Sequence, residues 1–423
     1  MLLLAAAAMV GTLPGRTQGL GLVTEPLITD LRIGRVEYAQ LNLWATLIGS
    51  LFAIGIGRFV DRFGARTVLT GVAAGLGLVV CAMSGAQSFW SLAVAVTLTR
   101  GLGQSALSVI SLAMVGQWFA PLPAGGGAKQ SSLGEAEPHR RFSRSRGEAS
   151  TTIDKAMAIY SIVMSIGFMI AFPVVGSLVQ SWGWRSAWFA IGMTLLIVLA
   201  PAALLLARPH PEADTPGDTP SGLSNGAGAT WQEAVATPAF WTFSVGAALY
   251  GLVASGIGLF NESILAERGF GPEIYYQTLI VTALTALIGN FGGGWLALRI
   301  SLPNLLAISL LVLAAGLAAL PHVTTIVQVM LWAVAMGLGG GLVMVLFFSV
   351  WPRVYGRAHL GRIQGAAQAM TVLASAIGPL LLAWCVEWTG SYSGMFNVLA
   401  AVIGLAAFSA LLTPLPGRQT AST

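Results

Sequence analysis

Charge is what this chain has least of. Only 9% of its 423 residues are Asp, Glu, Lys or Arg, against about 25% in a soluble domain. Hydrophobic residues fill 56% of it, and the mean hydropathy is +0.79. A surface so poor in charge suits lipid, and the composition is that of a membrane protein. Cysteine is scarce too. Cys81 and Cys385 both lie inside apolar runs, so a disulfide framework is not indicated. The four histidines, His139, His210, His322 and His359, fall in loops or at the ends of apolar runs. They form no cluster that would make a metal site or a buried catalytic base. No Ser-His-Asp, HExxH or P-loop pattern occurs, which argues against an enzyme and against pumping driven by ATP. The net charge of +5 does not point to nucleic acid, because the basic residues sit in short stretches between apolar runs. No metal and no cofactor is expected.

What is present is apolar sequence in twelve runs, each long enough for a span of about 20 residues. They lie near 2–29, 38–56, 68–87, 89–119, 156–181, 184–207, 240–265, 274–296, 302–320, 326–351, 363–386 and 395–412. The first lacks the basic start of a signal peptide and is too long for one. It has almost nothing before it, so the natural start is left open upstream of Met1. A polypeptide in lipid satisfies its own backbone, so each run is a helix. The stretch 121–152 is polar, with His139, Arg140, Arg141, Arg144 and Arg146 clustered in it, and reads as a disordered insert. The stretch 208–238 is rich in Pro, Gly, Asp and Thr and reads as a linker.

The chain repeats itself. Shifting residues 19–62 by 237 places them on 256–299 without a gap. The identities include Glu25/Glu262, Tyr38/Tyr275 and Gln40/Gln277, residue types that are scarce here. The expected fold is therefore all-α. It has twelve transmembrane helices in two homologous six-helix bundles, 1–206 and 239–423, joined by a linker at 207–238.

The stretch GRFVDRFGARTVL, Gly57–Leu69, interrupts the apolar sequence between spans two and three. Gly57, Asp61, Arg62, Gly64 and Arg66 make it resemble the G-x-x-x-D-R-x-G-[RK]-[RK] loop of the major facilitator superfamily, with Ala65 departing where a base is usual. Arg100 in T-R-G-L-G-Q-S is similar to the fourth-helix pattern R-x-x-Q-G, with Gly103 and Gln104 in swapped order. Tyr355, Gly356, Arg357, His359 and Gly361 resemble the loop before span eleven in the monocarboxylate and oxalate/formate branch. The resemblance covers nearly the whole chain apart from 121–152 and 208–238. It implies parallel six-helix repeats about an axis along the membrane normal, an arrangement for which this superfamily is the general example.

The resemblance further implies that Asp61 closes the inner gate on the N-terminal end of span eleven, near 361–364, with Gly57, Arg62, Gly64 and Arg66 around it. A carboxylate suits the positive end of a helix. With the N-terminus inside, fifteen of the 21 Lys and Arg fall on the cytoplasmic side and four outside, and Arg16 and Arg100 fall within the membrane. Both termini are expected in the cytoplasm, in an inner or plasma membrane.

Those two arginines are the candidate substrate site. Arginine at the centre of a spanning helix costs about 2.5–3.5 kcal/mol. Their counterparts in the second half are Val253 and Met336, so the fold manages without the charge. Arg16 follows Pro14-Gly15, where a broken helix frees backbone groups for a ligand. Guanidinium forks onto a carboxylate, so Arg16 is expected to hold an anion, with Arg100 as its partner and Thr17, Gln18 and Asn290 nearby. Internal pairing with Glu25 is the alternative, but nine helical residues span about 13 Å. Glu25 and Glu262 are read first as helix-end residues that pair across an interface, and otherwise as candidate proton carriers. The expected function is secondary transport of a small organic anion such as a monocarboxylate, by a monomer in the bilayer, proton-coupled or by exchange. The alternatives are efflux of drugs or other metabolites, marked by aromatic cavity walls and an uncharged span one, and a membrane receptor or enzyme.

Overall fold

The computed structural model describes residues 1–119, 138–207, 229–356 and 359–415. The side chains at 54–55, 57–58, 61, 116–119, 138–158 and 361 lie outside that description. The first half contains α1 Leu2–Val10, α2 Thr17–Gly21, α3 Thr24–Leu31, α4 Arg35–Ser50, α5 Phe52–Ser84, α6 Phe89–Thr99, α7 Ser108–Phe119, α8 Pro138–Thr194 and α9 Ala200–Leu206. A short α10, Trp231–Ala236, leads into α11 Pro238–Glu267, α12 Pro272–Leu296, α13 Leu302–Ala319, α14 Ile326–Tyr355, α15 Leu360–Thr389 and α16 Ser393–Leu412.

Among the described residues, nine helical stretches are long and apolar enough to cross a membrane. One of them, Ile159–Leu206, is two spans folded at Gly183. Span one is α1 to α3, and span two is α4 with the start of α5. The total is the twelve spans the sequence leads one to expect.

Helix starts follow capping chemistry. Thr237, Ser301 and Thr325 each accept a backbone N–H three residues on, and proline opens α11 and α12 where no N–H is missed.

Three expectations need correction. The signature around Asp61 is not a loop. Helix runs through it, and only Gly64 leaves helical geometry, at φ 77° and ψ 149°. Gly183 turns spans five and six at nearly the same angles, φ 79° and ψ 162°. That conformation is open essentially to glycine alone, so one residue reverses the chain and no loop is required. The stretch 121–152 is not irregular throughout, since the backbone is helical from Pro138, continuous with span five; residues 120–137 lie outside the described part. The linker also ends in structure. Thr230 and Glu233 close a capping box at the start of α10, and these contacts, backbone first, hold the exposed Glu233 carboxyl below its usual range. The helix docks through Ala229 N–H to the Tyr355 carbonyl at 2.9 Å and through Trp231 on Phe240.

Packing reports the repeat. Across the two halves, α4 meets α15, α8 meets α12 and α2 meets α11. In spans these are two–eleven, five–eight and one–seven. Exchanging the halves turns two–eleven into eight–five and leaves one–seven as itself, which is the signature of a twofold relation. Exposed tryptophans ring both ends. Trp90, Trp182 and Trp388 lie at the end where Arg35 sits, and Trp241 and Trp295 lie at the end where Gly64 sits. Two such belts mark the two lipid–water boundaries of a multi-pass membrane protein.

Candidate functional site

Span one breaks where Pro14 and Gly15 predict. A single 3-10 turn, Leu13–Gly15, gives way to an extended Arg16 at φ −87° and ψ 152°. Span four is irregular at the same depth, where Arg100–Leu107 is π-helical. The two irregular stretches pack on each other. A Cβ on Gly15 would overlap the Thr99 carbonyl and lie 2.8 Å from the Gln104 nitrogen. Non-helical backbone at mid-membrane survives because it is buried against protein, and π turns collect at functional sites.

Arg100 is only 2% exposed and touches no carboxylate among the described residues. Its Nη1 donates to Thr17 Oγ1 at 3.0 Å and to Gln104 Oε1 at 2.8 Å. Its Nη2 donates to Asn42 Oδ1 at 2.8 Å. Asn42 is fixed in turn by its Nδ2 on the Tyr38 carbonyl at 2.9 Å. The Arg100 Nε and the Tyr38 hydroxyl, both buried, have no partner among the described residues. Thus three neutral oxygens from spans one, two and four hold a buried cation.

Arg16 lies on the other side of the break. Its Nε donates to Thr12 Oγ1 at 2.6 Å, its Nη2 reaches Met9 Sδ at 2.8 Å, and its guanidinium lies 5.2 Å from the Phe168 ring centroid. The two arginines therefore turn away from each other, with Thr17 on the Arg100 side. Gln18 does not join them, since it lies against Gly258 of span seven. Asn290 is half-buried on α12 beside α14 in the other half, and no hydrogen bond among the described residues ties it to either arginine.

Glu25 pairs with Arg35, not with Arg16. The fork is complete, Nη1 to Oε1 at 2.6 Å and Nη2 to Oε2 at 2.8 Å. Arg35 also crosses to the second half, donating to Ser263 Oγ at 2.8 Å and the Tyr392 hydroxyl at 3.3 Å, which themselves pair at 2.6 Å. This clasp joins the ends of spans one, two, seven and twelve. Beside it Glu25 and Glu262 line one cavity of about 530 Å³ with Asp30, Gln180, Pro272 and Tyr276. Asp30 accepts Trp184 Nε1 and Arg185 Nε, both at 3.0 Å. Glu262 has neither a hydrogen bond nor an ion pair among the described residues.

The Asp61 side chain lies outside the described residues, and so does its expected gate contact. Gly57 sits inside α5, Arg62 is exposed over the Phe63 ring at 5.3 Å, and Arg66 is half-buried with its Nε unpartnered among the described residues. Sequence reasoning missed Arg35, Ser263, Tyr392 and Gln104 as site residues. For Arg35 a signal existed, because the repeat shift sets it against Pro272.

Two helical halves around a twofold axis, with a broken span one and two mid-span arginines that meet no carboxylate among the described residues, define a membrane transporter. The chain belongs to the Major Facilitator Superfamily, whose family profile matches residues 149–322 and 263–423. Members of that family bind small molecules within the membrane. A 38 kDa protein of uncharacterised function in a 23S RNA operon of Thermoproteus tenax is 25% identical over 387 residues, 89% of this chain and 92% of that one. Monocarboxylate transporter 11 of Homo sapiens is 27% identical over 250 residues, 56% of this chain and 51% of that one. Among solved structures, an inward-facing, unoccupied bacterial homologue of the human lysosomal transporter Spinster superposes with a TM-score of 0.71, at 17% identity over 98% of both chains. The nucleoside transporter NupG gives 0.70 at 14% identity, over 97% of this chain and 98% of that one. At these identities the solved structures share the fold.

Proposed function

We propose that this transporter carries a small organic anion, such as a monocarboxylate, and that Arg100 anchors it. One observation supports this above the others: a guanidinium buried at mid-span is held by neutral oxygens only. A buried charge without a counter-ion is costly, and the second half dispenses with it at Met336. A substrate carboxylate supplies the missing charge. Arg16 serves as the second cation on the other face of the span-one break, which reverses the order expected from the sequence. The likeness to a monocarboxylate transporter over about half of each chain agrees with this substrate class. Glu262 is the coupling carboxylate in this reading, because Glu25 is already engaged by Arg35. The halves, 1–206 and 239–423, rock about their axis, and the end carrying Gly64 faces the cytoplasm by the basic-residue count. The protein works as a monomer.

The test is uptake of radiolabelled lactate, oxalate and benzoate into proteoliposomes. Arg100→Gln abolishes uptake while the protein still folds and inserts, and Arg16→Gln lowers it strongly. Uptake confined to cationic drugs sinks the reading.

A further inference from the structure

We propose that Gln104 is a displaceable stand-in for the substrate: its amide oxygen holds the place on Arg100 that the substrate carboxylate takes. This rests on the anion reading above.

Three oxygens contact the guanidinium, and they are not alike. Asn42 is 1% exposed and Thr17 is 8% exposed. Asn42 is pinned through its own amide to Tyr38, and Thr17 is set by the backbone of α2. Neither can leave without opening the packing of spans one, two and four. Gln104 is exposed, and its Nε2 has no acceptor among the described residues. An exposed amide at mid-span with an unpartnered N–H is costly against lipid. It belongs on the water-filled space between the halves, where the substrate passes. Guanidinium has five donors, and three acceptors meet it among the described residues, leaving the Nε–H and one Nη2–H bare. That shortfall is the mark of a cation held ready and not one locked into a finished network.

The exchange is favourable on chemistry. The Gln104 bond already has an ionised donor, but a carboxylate adds a full opposite charge and can take two guanidinium N–H groups side by side, which a single amide oxygen cannot. A carboxylate therefore outcompetes an amide for the same N–H, whereas a neutral solute meets an equal competitor. Gln104 thereby sets selectivity for anions as well as keeping Arg100 partnered when the site is empty. Its place on a π-helical turn is of the kind that collects at functional sites.

The test compares three purified variants for binding of lactate, oxalate and benzoate, with melting temperature as the folding check. Gln104→Glu puts a carboxylate onto Arg100 within the chain. It should keep or raise the melting temperature and weaken all three acids by about tenfold or more. Gln104→Ala removes the competitor and should tighten them several-fold. Arg100→Gln should lose them. If Arg100→Gln matches wild type, whether both bind or neither does, the anion reading itself is overturned. If Arg100→Gln loses binding but Gln104→Glu binds like wild type, the Gln104 proposal alone is overturned. Weaker binding by Gln104→Ala overturns it too, since Gln104 would then be a contact and not a competitor. Should Gln104→Glu fail to fold, the Gln104→Ala result decides.

Discussion

Gly21 of span one lies against Gly258 of span seven, its equivalent in the other repeat. A Cβ on Gly21 would overlap the Gly258 carbonyl oxygen and come within 3.4 Å of the Tyr275 hydroxyl. A residue can touch its own symmetry mate only on or beside the axis. The twofold axis therefore passes between these glycines. The contact lies between the break at Pro14-Gly15 and the Arg35 clasp, in the half of the molecule where spans one and seven are drawn together.

Adding a methyl at this point penalises the closed end selectively, because opening that end separates the two backbones. Overpacking of this kind costs about 1–3 kcal/mol, enough for a shift of about 5- to 150-fold between two states. Gly21→Ala is expected to populate a form open at the Arg35 end. Spin labels at the exposed positions 90 and 388, one in each half, should then report a longer distance. An unchanged distance distribution rules this out.

The Arg35 clasp should act in the same direction. Arg35→Gln removes the fork to Glu25 and the bridge to Ser263 and Tyr392 together. Charged hydrogen bonds of this kind are worth about 1.5–3 kcal/mol, and the lower end applies because the two side chains keep 32% and 23% of their exposure. Arg35→Lys should restore only part, since an ammonium cannot fork. Tyr392→Phe should cost less than Arg35→Gln, as it loses the longest bond at 3.3 Å and the hydroxyl pair with Ser263. The same label pair ranks the three variants, and a Tyr392→Phe effect as large as that of Arg35→Gln would contradict the ranking.

Gly64 separates strain from contact. Nothing lies within 4 Å of a Cβ built there, yet its φ of +77° excludes other residues. Gly64→Ala should lower stability by about 1–3 kcal/mol through backbone strain alone. Gly294 is the control. It is helical with equally empty surroundings, so Gly294→Ala should be neutral or stabilising by about 0.5–1 kcal/mol. Thermal unfolding in detergent measures both.

Much of this was legible in the chain because lipid imposes one rule on every span. Apolar runs had to be helices, and the scarce identities Glu25/Glu262 and Tyr38/Tyr275 marked the repeat that packing displays. The Pro14-Gly15 break was legible because both residues oppose a helix. The short basic loop was expected wrongly, since one glycine at positive φ reverses the chain without one. Side-chain partners were the hidden part. Arg35 and Glu25 are ten residues apart across a helix end, and Ser263 and Tyr392 reach them only after the halves dock. Gln104 was hidden for another reason. Four residues after Arg100 it reads as an ordinary helix neighbour, and only its exposure beside two buried acceptors sets it apart.

The second repeat lacks the arginine of the first, since Pro272 stands where Arg35 does. Glu25 and Glu262 are equivalent and line the same cavity, but among the described residues only the first has an arginine. The residue equivalent to Arg35 is Pro272, which also lines that cavity and, like Arg35, opens its helix. Among the described residues, the charged and titratable groups around Glu262 are Glu25 with its Arg35, Asp30 with its Arg185, Tyr276 and Tyr275. Two of the three carboxylates are thus balanced, which leaves Glu262 as the proposed coupling carboxylate. Glu262→Gln, fixed in the neutral form, should flatten the pH dependence of carboxylate uptake while leaving exchange of one anion for another in place. Pro272→Arg should do the same by the opposite route, giving Glu262 the permanent partner that Glu25 has and holding it ionised. A Glu25→Gln variant, by contrast, should weaken the clasp and slow uptake at every pH. Uptake measured against an imposed pH gradient separates these outcomes. If Glu262→Gln kept the wild-type response to the gradient, coupling would have to reside elsewhere; if Pro272→Arg alone kept it, the arginine would not be reaching Glu262.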